Sequence, residues 1–214
     1  MRLLRVLGLT GALVTAAAAS AAPQDAAAEA VALRLDRRQK SLRDLTARFV
    51  QRYRSGALGR EVVERGVVSI KRPNRMLWEY RSPERKLFVS DGSTAYFYVP
   101  ADHQVIVREQ QADQGLAAFL LSGREGILDR FAVGMESGAP AGLTRLRLTP
   151  RTPDPEMESA LLEVDAADRI RSVQMVDAQG NRSRFDFEDI KENVGLQDRL
   201  FRFEIPAGVE VVEG

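Results

Sequence analysis

The sequence predicts a mainly β protein of the α+β class, with one curved antiparallel sheet and a few short helices. Residues 66–100 contain four short strand-like segments separated by Pro, Asn, Asp and Gly, and such tight turns connect antiparallel neighbours. Similar segments return between residues 143 and 188. No repeat or low-complexity linker divides the chain, so we expect a single domain. A sheet of about ten strands is expected to curl and to present one concave face.

The first 21 residues have the pattern of a secretory signal peptide. Arg2 and Arg5 form the basic start, an apolar and small-residue run follows, and Ala19-Ser20-Ala21 is a small-x-small cleavage site. An uncleaved anchor or a disordered tail is the alternative. After cleavage, residues 22–214 form the mature domain. The formal charge then changes from +1 to −1, because two of the 31 basic residues are removed while all 30 acidic residues remain.

The absence of cysteine restricts how an exported chain can be stabilised and anchored. The sequence contains 0 Cys, so its fold depends on its own apolar core rather than on disulfides. A lipid-modified protein would need a cysteine directly after its cleavage site. No later segment approaches the roughly 20 apolar residues that cross a bilayer. We therefore expect an exported, soluble protein.

The N-terminal part of the mature chain predicts one helix followed by long strands. Residues 26–39 are rich in alanine, and Val31 and Leu35 lie on one helical face. Residues 41–54 fit both a helix and a strand, and their β-preferring side chains favour a strand that begins near Asp44. Residues 61–72 contain five β-branched side chains in a spacing that disfavours a helix.

The central stretch, residues 66–100, predicts a four-stranded meander, and it contains Trp78 together with three of the 4 tyrosines. A strand over 104–109 follows, and then a short apolar helix over 116–121, which Gly123 ends. Residues 126–131 have no clear assignment. The remaining predicted strands are Leu143–Thr149, Ala160–Val164, Ile170–Val176, Arg182–Glu188, Leu200–Phe203 and Val209–Val212.

The residues needed for common catalytic and cofactor sites are missing. His103 is the single histidine and lies in a polar turn, and there is no G-x-S-x-G motif. Sites made of His and Cys are excluded by their number, and no glycine-rich phosphate loop is present. Arginine is interleaved with acidic residues, which argues against a nucleic-acid surface. These absences favour a binding or carrier protein that is not an enzyme and needs no metal or cofactor.

Several short motifs resemble the LolA family, the periplasmic carriers of outer-membrane lipoproteins. The run from Ile70 to Asn74, followed by Trp78, resembles the strand-turn motif of that family. The run LFVSDG from Leu87 to Gly92, followed by YFY and Pro100, resembles its next hairpin. Residues 42–51, the apolar helix 116–121 and the final F-x-F-x-I-P-x-G-V run also fit in order. The resemblance covers nearly the whole mature chain.

The resemblance implies an incomplete β-barrel, covered by short helices, with an apolar cavity for acyl chains. It assigns to Arg72 the role of holding the helical lid closed through hydrogen bonds to lid backbone. A surface arginine at a strand end is the alternative. Candidates for the cavity wall and lid are Met76, Trp78, Phe97, Leu116, Phe119 and Leu120, each of which also fits ordinary core packing.

The resemblance also implies partners and leaves alternatives. The expected function is that of a monomeric, periplasmic chaperone that takes acylated lipoproteins from an inner-membrane ABC-type release complex to an outer-membrane acceptor. A carrier of other amphiphiles, such as a glycolipid, remains open, because an apolar cavity recognises chains rather than head groups. A lipid-sensing domain is another alternative, and it would need a further domain or an anchor beyond Gly214. An enzyme acting on lipids has the least support.

Overall fold

The computed structural model describes residues 23–109, 115–154 and 157–213, so the expected signal peptide lies outside the described residues. Within these ranges, twelve strands form one open sheet in the order β12-β6-β5-β4-β3-β2-β1-β11-β10-β9-β8-β7. The strands are β1 (Asp44–Arg54), β2 (Glu61–Lys71), β3 (Arg75–Ser82), β4 (Lys86–Ser90), β5 (Thr94–Val99), β6 (Gln104–Glu109), β7 (Phe131–Glu136), β8 (Leu143–Pro150), β9 (Ser159–Asp165), β10 (Ile170–Val176), β11 (Arg182–Glu192) and β12 (Glu210–Glu213). The helices are α1 (Pro23–Ser41), α2 (Leu116–Ser122) and α3 (Ile127–Arg130), and 3₁₀ helices span Pro100–Asp102 and Asp198–Phe201. The predicted mainly β class is confirmed.

Helix α1 packs against the sheet through an alanine-rich stripe. Ala28, Ala32 and Leu35 are fully buried, and Val31 is 7% exposed. Their spacing of three and four residues places them on one face of the helix. This face belongs to the same apolar cluster as the inner side of β1, β2 and β3. The predicted pair Val31 and Leu35 does lie on the packed face.

The meander is confirmed, and its register creates an aromatic inner face. Val68 pairs with Trp78, Trp78 with Phe88, and Phe88 with Phe97. Gly66 lies beside this row, and the ring of Phe49 occupies the space that a side chain at position 66 would need. A Cβ on Gly66 would lie 2.1 Å from the backbone oxygen of Glu79 and 2.7 Å from Phe49 Cζ. The strand therefore needs glycine at this position so that both the neighbouring backbone and the ring can pack.

The structure differs from the predictions near α3 and at the C-terminus. The unassigned stretch 126–131 contains α3, whose first backbone amide, that of Ile127, donates to the buried carboxylate of Asp36 at 3.0 Å. That partner lies 91 residues away, so the local sequence does not reveal this contact. The predicted strand Leu200–Phe203 is wrong, because residues 198–201 form a 3₁₀ helix. The final strand β12 pairs with β6 in parallel, because the chain crosses the outer face before it reaches the sheet edge.

The C-terminal segment covers the outer face of β3 to β6. Phe201 is fully buried, and the ring of Phe203 lies 5.3 Å from Tyr96 and 5.5 Å from Tyr98, measured between ring centroids. Neighbouring Phe97 points to the opposite, inner face. The alternation along β5 thus supplies a second, smaller apolar layer on the outer side.

A buried acid organises the outer face on the other half of the sheet. Glu163 is 1% exposed, and its Oε1 accepts hydrogen bonds from Arg145 Nε at 2.9 Å and Arg145 Nη2 at 2.5 Å. Its Oε2 accepts from Arg184 Nη2 at 2.9 Å. Arg184 also binds Asp186 at 2.8 Å. Charge pairing therefore compensates for the burial of this carboxylate.

Candidate functional site

An apolar cavity of about 330 Å³ lies between the inner face of the sheet and helix α2. This volume falls within the range of about 300–1,000 Å³ found for small-molecule pockets. Most of its wall consists of aromatic and aliphatic side chains. The lining residues are Gln51, Trp78, Tyr80, Phe88, Phe97, Gly115, Leu116, Ala117, Ala118, Val173, Met175, Ser183 and Phe185. A pocket of this composition suits a chain of methylene groups better than a polar ligand.

Edge-to-face aromatic packing fixes the floor of the cavity. The ring centroid of Trp78 lies 5.1 Å from that of Phe49 and 5.4 Å from that of Phe185. Phe49 also contacts Tyr80 at 4.9 Å. These pairs join β1, β3 and β11, so the floor is held from three strands.

Helix α2 forms the cover of the cavity. Six of its seven residues, Leu116 to Leu121, are buried, as a helix that is apolar all round requires. It faces the aromatic floor across the cavity on one side and, through Phe119, contacts the ring of Phe131 at 5.8 Å on the other. The Arg130 guanidinium lies 5.1 Å from the centroid of the Phe119 ring, which adds a cation–π contact. The cover is therefore held by side-chain packing rather than by sheet hydrogen bonds.

Arg72, one residue beyond the end of β2, connects the cover to the rest of the molecule. Its Nη2 donates to the backbone carbonyl of Leu121 at 3.3 Å and to Gln39 Oε1 at 3.1 Å. Its Nη1 donates to the backbone carbonyl of Leu42 at 3.2 Å. Burial lowers the pKa of the guanidinium, which nevertheless stays protonated. One cation thus joins the last turn of α2 to the end of α1.

Gly123 leaves room for this arrangement. It ends α2 with φ at 61°, a conformation that glycine adopts without strain. A Cβ at this position would lie 2.8 Å from Arg72 Nη2 and 2.8 Å from Gln39 Cβ. The glycine is therefore required both by the backbone turn and by the close approach of Arg72.

The structure separates the predicted cavity residues into three groups. Trp78, Phe97 and Leu116 line the 330 Å³ cavity. Met76 and Phe119 instead border a narrow crevice of about 20 Å³, together with Arg72. Leu120, 3% exposed, packs in the core and lines neither space.

Local sequence patterns do not identify several residues of the cavity and of the Arg72 contact. Tyr80 lies two residues from Trp78 on the same strand, so the alternation of a strand could have placed it on the same face. Phe185 lies on the face of β11 that lines the cavity, but nothing in the local sequence connects it with Trp78. Gln39, the side-chain partner of Arg72, carries no local signal, since its role depends on a contact across 33 residues.

A polar group closes one end of the apolar cavity. Tyr80 Oη donates to Gln51 Oε1 at 2.9 Å, and Gln51 Nε2 donates to Ser183 Oγ at 3.3 Å. Burial, together with the negative charge of Glu64, raises the pKa of Tyr80, so the phenol stays protonated. Lys86 forms an ion pair with Glu64, and its ammonium lies 5.1 Å from the centroid of the Tyr80 ring.

Other surfaces offer less to an apolar ligand. A depression of about 490 Å³ on the far side of the β2–β3 turn is lined mainly by polar groups, among them Arg75, Asp91 and Asp198. Across the described ranges no group of three or more His, Cys, Asp or Glu side chains could hold a metal ion. No described helix is long and apolar enough to cross a membrane.

Comparison with known proteins gives the family. Residues 40–204 match the family described as outer membrane lipoprotein carrier protein LolA. The outer-membrane lipoprotein carrier protein of Pseudomonas aeruginosa strain UCBPP-PA14 is 32% identical over 217 residues, with 100% of both chains covered.

Two solved structures share the fold at low sequence identity. An uncharacterized conserved protein from Thermus thermophilus has a TM-score of 0.56 at 13% identity, with 87% of this chain and 98% of that chain covered. MucB has a TM-score of 0.51 at 17% identity, with 87% and 66% covered. The long family match and the full-length relative agree with the motifs around Arg72 and Trp78, and this chain therefore belongs to the LolA family.

Proposed function

We propose that this protein is a periplasmic carrier that shields the acyl chains of lipoproteins between the inner and the outer membrane. The observation that carries the proposal is the aromatic cavity of about 330 Å³ beneath α2, whose cover is tied down by Arg72. Membership of the LolA family and a full-length relative named as an outer-membrane lipoprotein carrier protein support lipoproteins as the cargo. The proposed role is carriage without catalysis.

An acyl chain in water needs an apolar surface against which it can be buried. Each methylene buried away from water is stabilised by about 0.8 kcal/mol, so one long acyl chain has on the order of 10 kcal/mol to gain from burial. A lipidated protein cannot leave a membrane for water without a partner that supplies such a surface. The rings of Trp78, Phe88, Phe97 and Phe185 supply it here.

A carrier must also release its cargo, so helix α2 has to be held weakly enough to move. Arg72 holds α2 through a single hydrogen bond to Leu121, with two further bonds to α1 and the segment after it. Hydrogen bonds of a charged group contribute about 1.5–3 kcal/mol each, which is small beside the burial of an acyl chain. Loading can therefore displace the cover, and reclosure can expel the chain towards an acceptor.

The proposed pathway has a donor and a recipient. We infer that residues 1–21 direct export and are removed, and that the mature monomer receives lipoproteins from an inner-membrane ABC-type release complex. It then passes them to an outer-membrane lipoprotein acceptor. The low net charge of the mature chain, −1 after removal of two arginines, fits a diffusing carrier rather than one held at an anionic surface.

The test is to purify the full chain from a periplasm and to identify co-purifying acylated species by mass spectrometry. Met175→Trp is the informative variant, since Met175 lines the cavity and an indole would fill it. Met135→Trp is the matched control, because Met135 lies on β7, 38% exposed and outside the cavity. We expect lipoproteins with the wild type and with the control, and a severalfold loss with Met175→Trp.

The other outcomes discriminate between the alternatives. Free glycolipids in place of lipoproteins would identify a carrier of other amphiphiles. Equal recovery of acylated species with Met175→Trp and Met135→Trp would place the cargo outside the cavity and refute the proposal.

A further inference from the structure

Three polar side chains from three strands meet inside the otherwise apolar cavity. They are Gln51 on β1, Tyr80 on β3 and Ser183 on β11, and all three belong to the cavity lining. Two hydrogen bonds, of 2.9 and 3.3 Å, connect them in the order Tyr80, Gln51, Ser183. We call this set the polar triad.

The polar triad lies between the buried aromatic floor and solvent. Along β1 the inner-face residues are Phe49, 1% exposed, then half-buried Gln51, then Tyr53, 40% exposed. Along β3 the same direction leads from Trp78, 5% exposed, to half-buried Tyr80. The triad therefore marks the end of the cavity through which a ligand would enter.

The polar triad has donor hydrogens to spare. Tyrosine and serine each carry one donor hydrogen, and a glutamine amide carries two. The two internal hydrogen bonds use two of these hydrogens. Reversing the amide orientation changes which groups donate but not this balance. Two donors on cavity-lining side chains thus remain for an acceptor on a ligand.

The charge balance restricts the kind of acceptor. Each member of the polar triad is neutral, because burial keeps the phenol of Tyr80 protonated. The nearby cation Lys86 is already paired with Glu64. Neutral donors without a free cation suit a neutral oxygen acceptor better than a phosphate or a carboxylate, which would lose hydration without a compensating charge.

We propose that Gln51 and Ser183 bind the carbonyl oxygen of an ester- or amide-linked acyl chain, with Tyr80 holding the Gln51 amide in place. The inference rests on the proposed function, since it assumes that an acyl chain occupies the cavity. The carbonyl then lies at the entrance and the hydrocarbon extends towards α2. Cargo enters tail first, and its head group stays outside.

The test compares probes that differ at one group. Lauroyl glycerol carries an ester, N-lauroyl-3-aminopropane-1,2-diol carries an amide, and dodecyl glyceryl ether has the same length without a carbonyl. Binding is followed through the emission of Trp78, the single tryptophan, at probe concentrations below micelle formation. We expect an acyl probe to bind the wild type about five- to tenfold more tightly than the ether, as one or two hydrogen bonds would give.

The variants assign this preference to the polar triad. Ser183→Ala removes one oxygen and should reduce the preference severalfold, and Gln51→Leu with Ser183→Ala should abolish it while ether binding is retained. The control is Ser172→Ala, since Ser172 is a buried serine without a hydrogen-bond partner for its hydroxyl and is absent from the cavity lining. It should leave the preference unchanged.

The outcomes separate this inference from the proposed function. A preference for the ester alone or for the amide alone supports the subsite and identifies which linkage it takes. Equal binding of acyl and ether probes overturns the subsite but leaves the acyl-chain cavity standing. Failure of all three probes to bind overturns the proposed function, and the subsite with it.

Discussion

The guanidinium of Arg72 donates a hydrogen bond to the backbone carbonyl of Leu121 across 3.3 Å, so the end of β2 holds the last turn of α2. The same Nη2 atom reaches Gln39 at 3.1 Å. Sheet, cover and N-terminal helix therefore meet at one cation. We therefore expect a change that breaks the Arg72 hydrogen bonds to weaken the attachment of α2 and to leave the aromatic contacts of the floor intact.

Replacing Arg72 by leucine should separate folding from transfer. Arg72→Leu removes three hydrogen bonds, leaving the carbonyls of Leu42 and Leu121 without this donor. We expect the sheet to remain folded and lipoprotein transfer to fall, because the cover no longer recloses over the emptied cavity. Far-UV circular dichroism checks the fold, and a membrane-release assay followed by delivery to an acceptor checks the transfer.

Arg72→Lys serves as the companion variant. It retains the charge but not the planar fork that contacts three acceptors at once, so we expect partial recovery of transfer. Normal transfer by Arg72→Leu would contradict the role given to this residue.

Substitution of Gly123 should cost more than its backbone angle alone predicts. Gly123→Ala introduces a left-handed non-glycine residue, which costs about 1–2 kcal/mol, and also places a methyl group 2.8 Å from Arg72 Nη2. Gly59→Ala is the control, because Gly59 has nearly the same φ, 62°, with nothing within 4 Å. We expect urea unfolding to show a larger loss of free energy for Gly123→Ala. Equal losses would mean that Arg72 and Gln39 adjust freely.

The carboxylate of Asp36 should make stability depend on pH. Burial is the main cause that raises the pKa of Asp36 above its ordinary value of 3.8, opposed by the hydrogen bond from the Ile127 amide and by Lys40, while Asp129 adds to the rise. The folded state therefore holds this proton to higher pH than the unfolded state does. This contribution to stability is fully present below the ordinary pKa, and it is lost as the pH rises through the raised one.

Asp36→Asn tests this pH dependence, because the amide oxygen can still accept from Ile127. The free energy of unfolding of the wild type minus that of the variant should fall as the pH rises from the ordinary pKa of Asp36 through its raised pKa. Urea unfolding at a series of pH values measures it. A difference that stays constant with pH would mean that the Asp36 pKa is not raised by folding.

Local patterns predicted those parts of the fold whose causes are local. The turn residues between β2 and β5, the alanine stripe of α1 and the start of β1 at Asp44 all follow from short-range propensity and alternation. The resemblance assigned a lid-holding role to Arg72, and the structure places its guanidinium against the α2 backbone. Its contact with Gln39, by contrast, depends on packing across 33 residues, and no neighbouring residue signals it.

The same limit explains why the sequence does not distinguish cavity-lining residues from core residues. Alternation places Trp78 and Tyr80 on one face, but it does not tell whether that face meets a void or a packed neighbour. Phe119 and Leu120 are apolar positions of a helix that is buried on most sides, and only the direction in which α2 lies decides which of its side chains reach the cavity. Ser183 lines the cavity because of sheet order, which places β11 beside β1.

The buried carboxylate of Glu163 should contribute more to the free energy of unfolding than an exposed carboxylate on the same sheet does. Glu163→Ala leaves Arg145 and Arg184 without the acid that both contact. Removing one partner of a fully buried ion pair costs about 3–5 kcal/mol. Here the side chains of Arg145 and Arg184 are 19% and 30% exposed, so water can partly solvate the two guanidinium groups and the cost is lower. We therefore expect a loss of roughly 2–3 kcal/mol in urea unfolding.

Glu136→Ala provides the matched comparison, since Glu136 binds Arg147 Nε at 2.8 Å at the open edge of the same sheet. The Arg147 guanidinium holds the pKa of Glu136 below its ordinary value, yet water can replace this exposed contact. We expect little change in unfolding for Glu136→Ala and no effect of either variant on binding of acyl probes. Similar losses of stability from both variants would show that burial of Glu163 does not strengthen its pairing, and a change in probe binding would connect the outer face to the cavity.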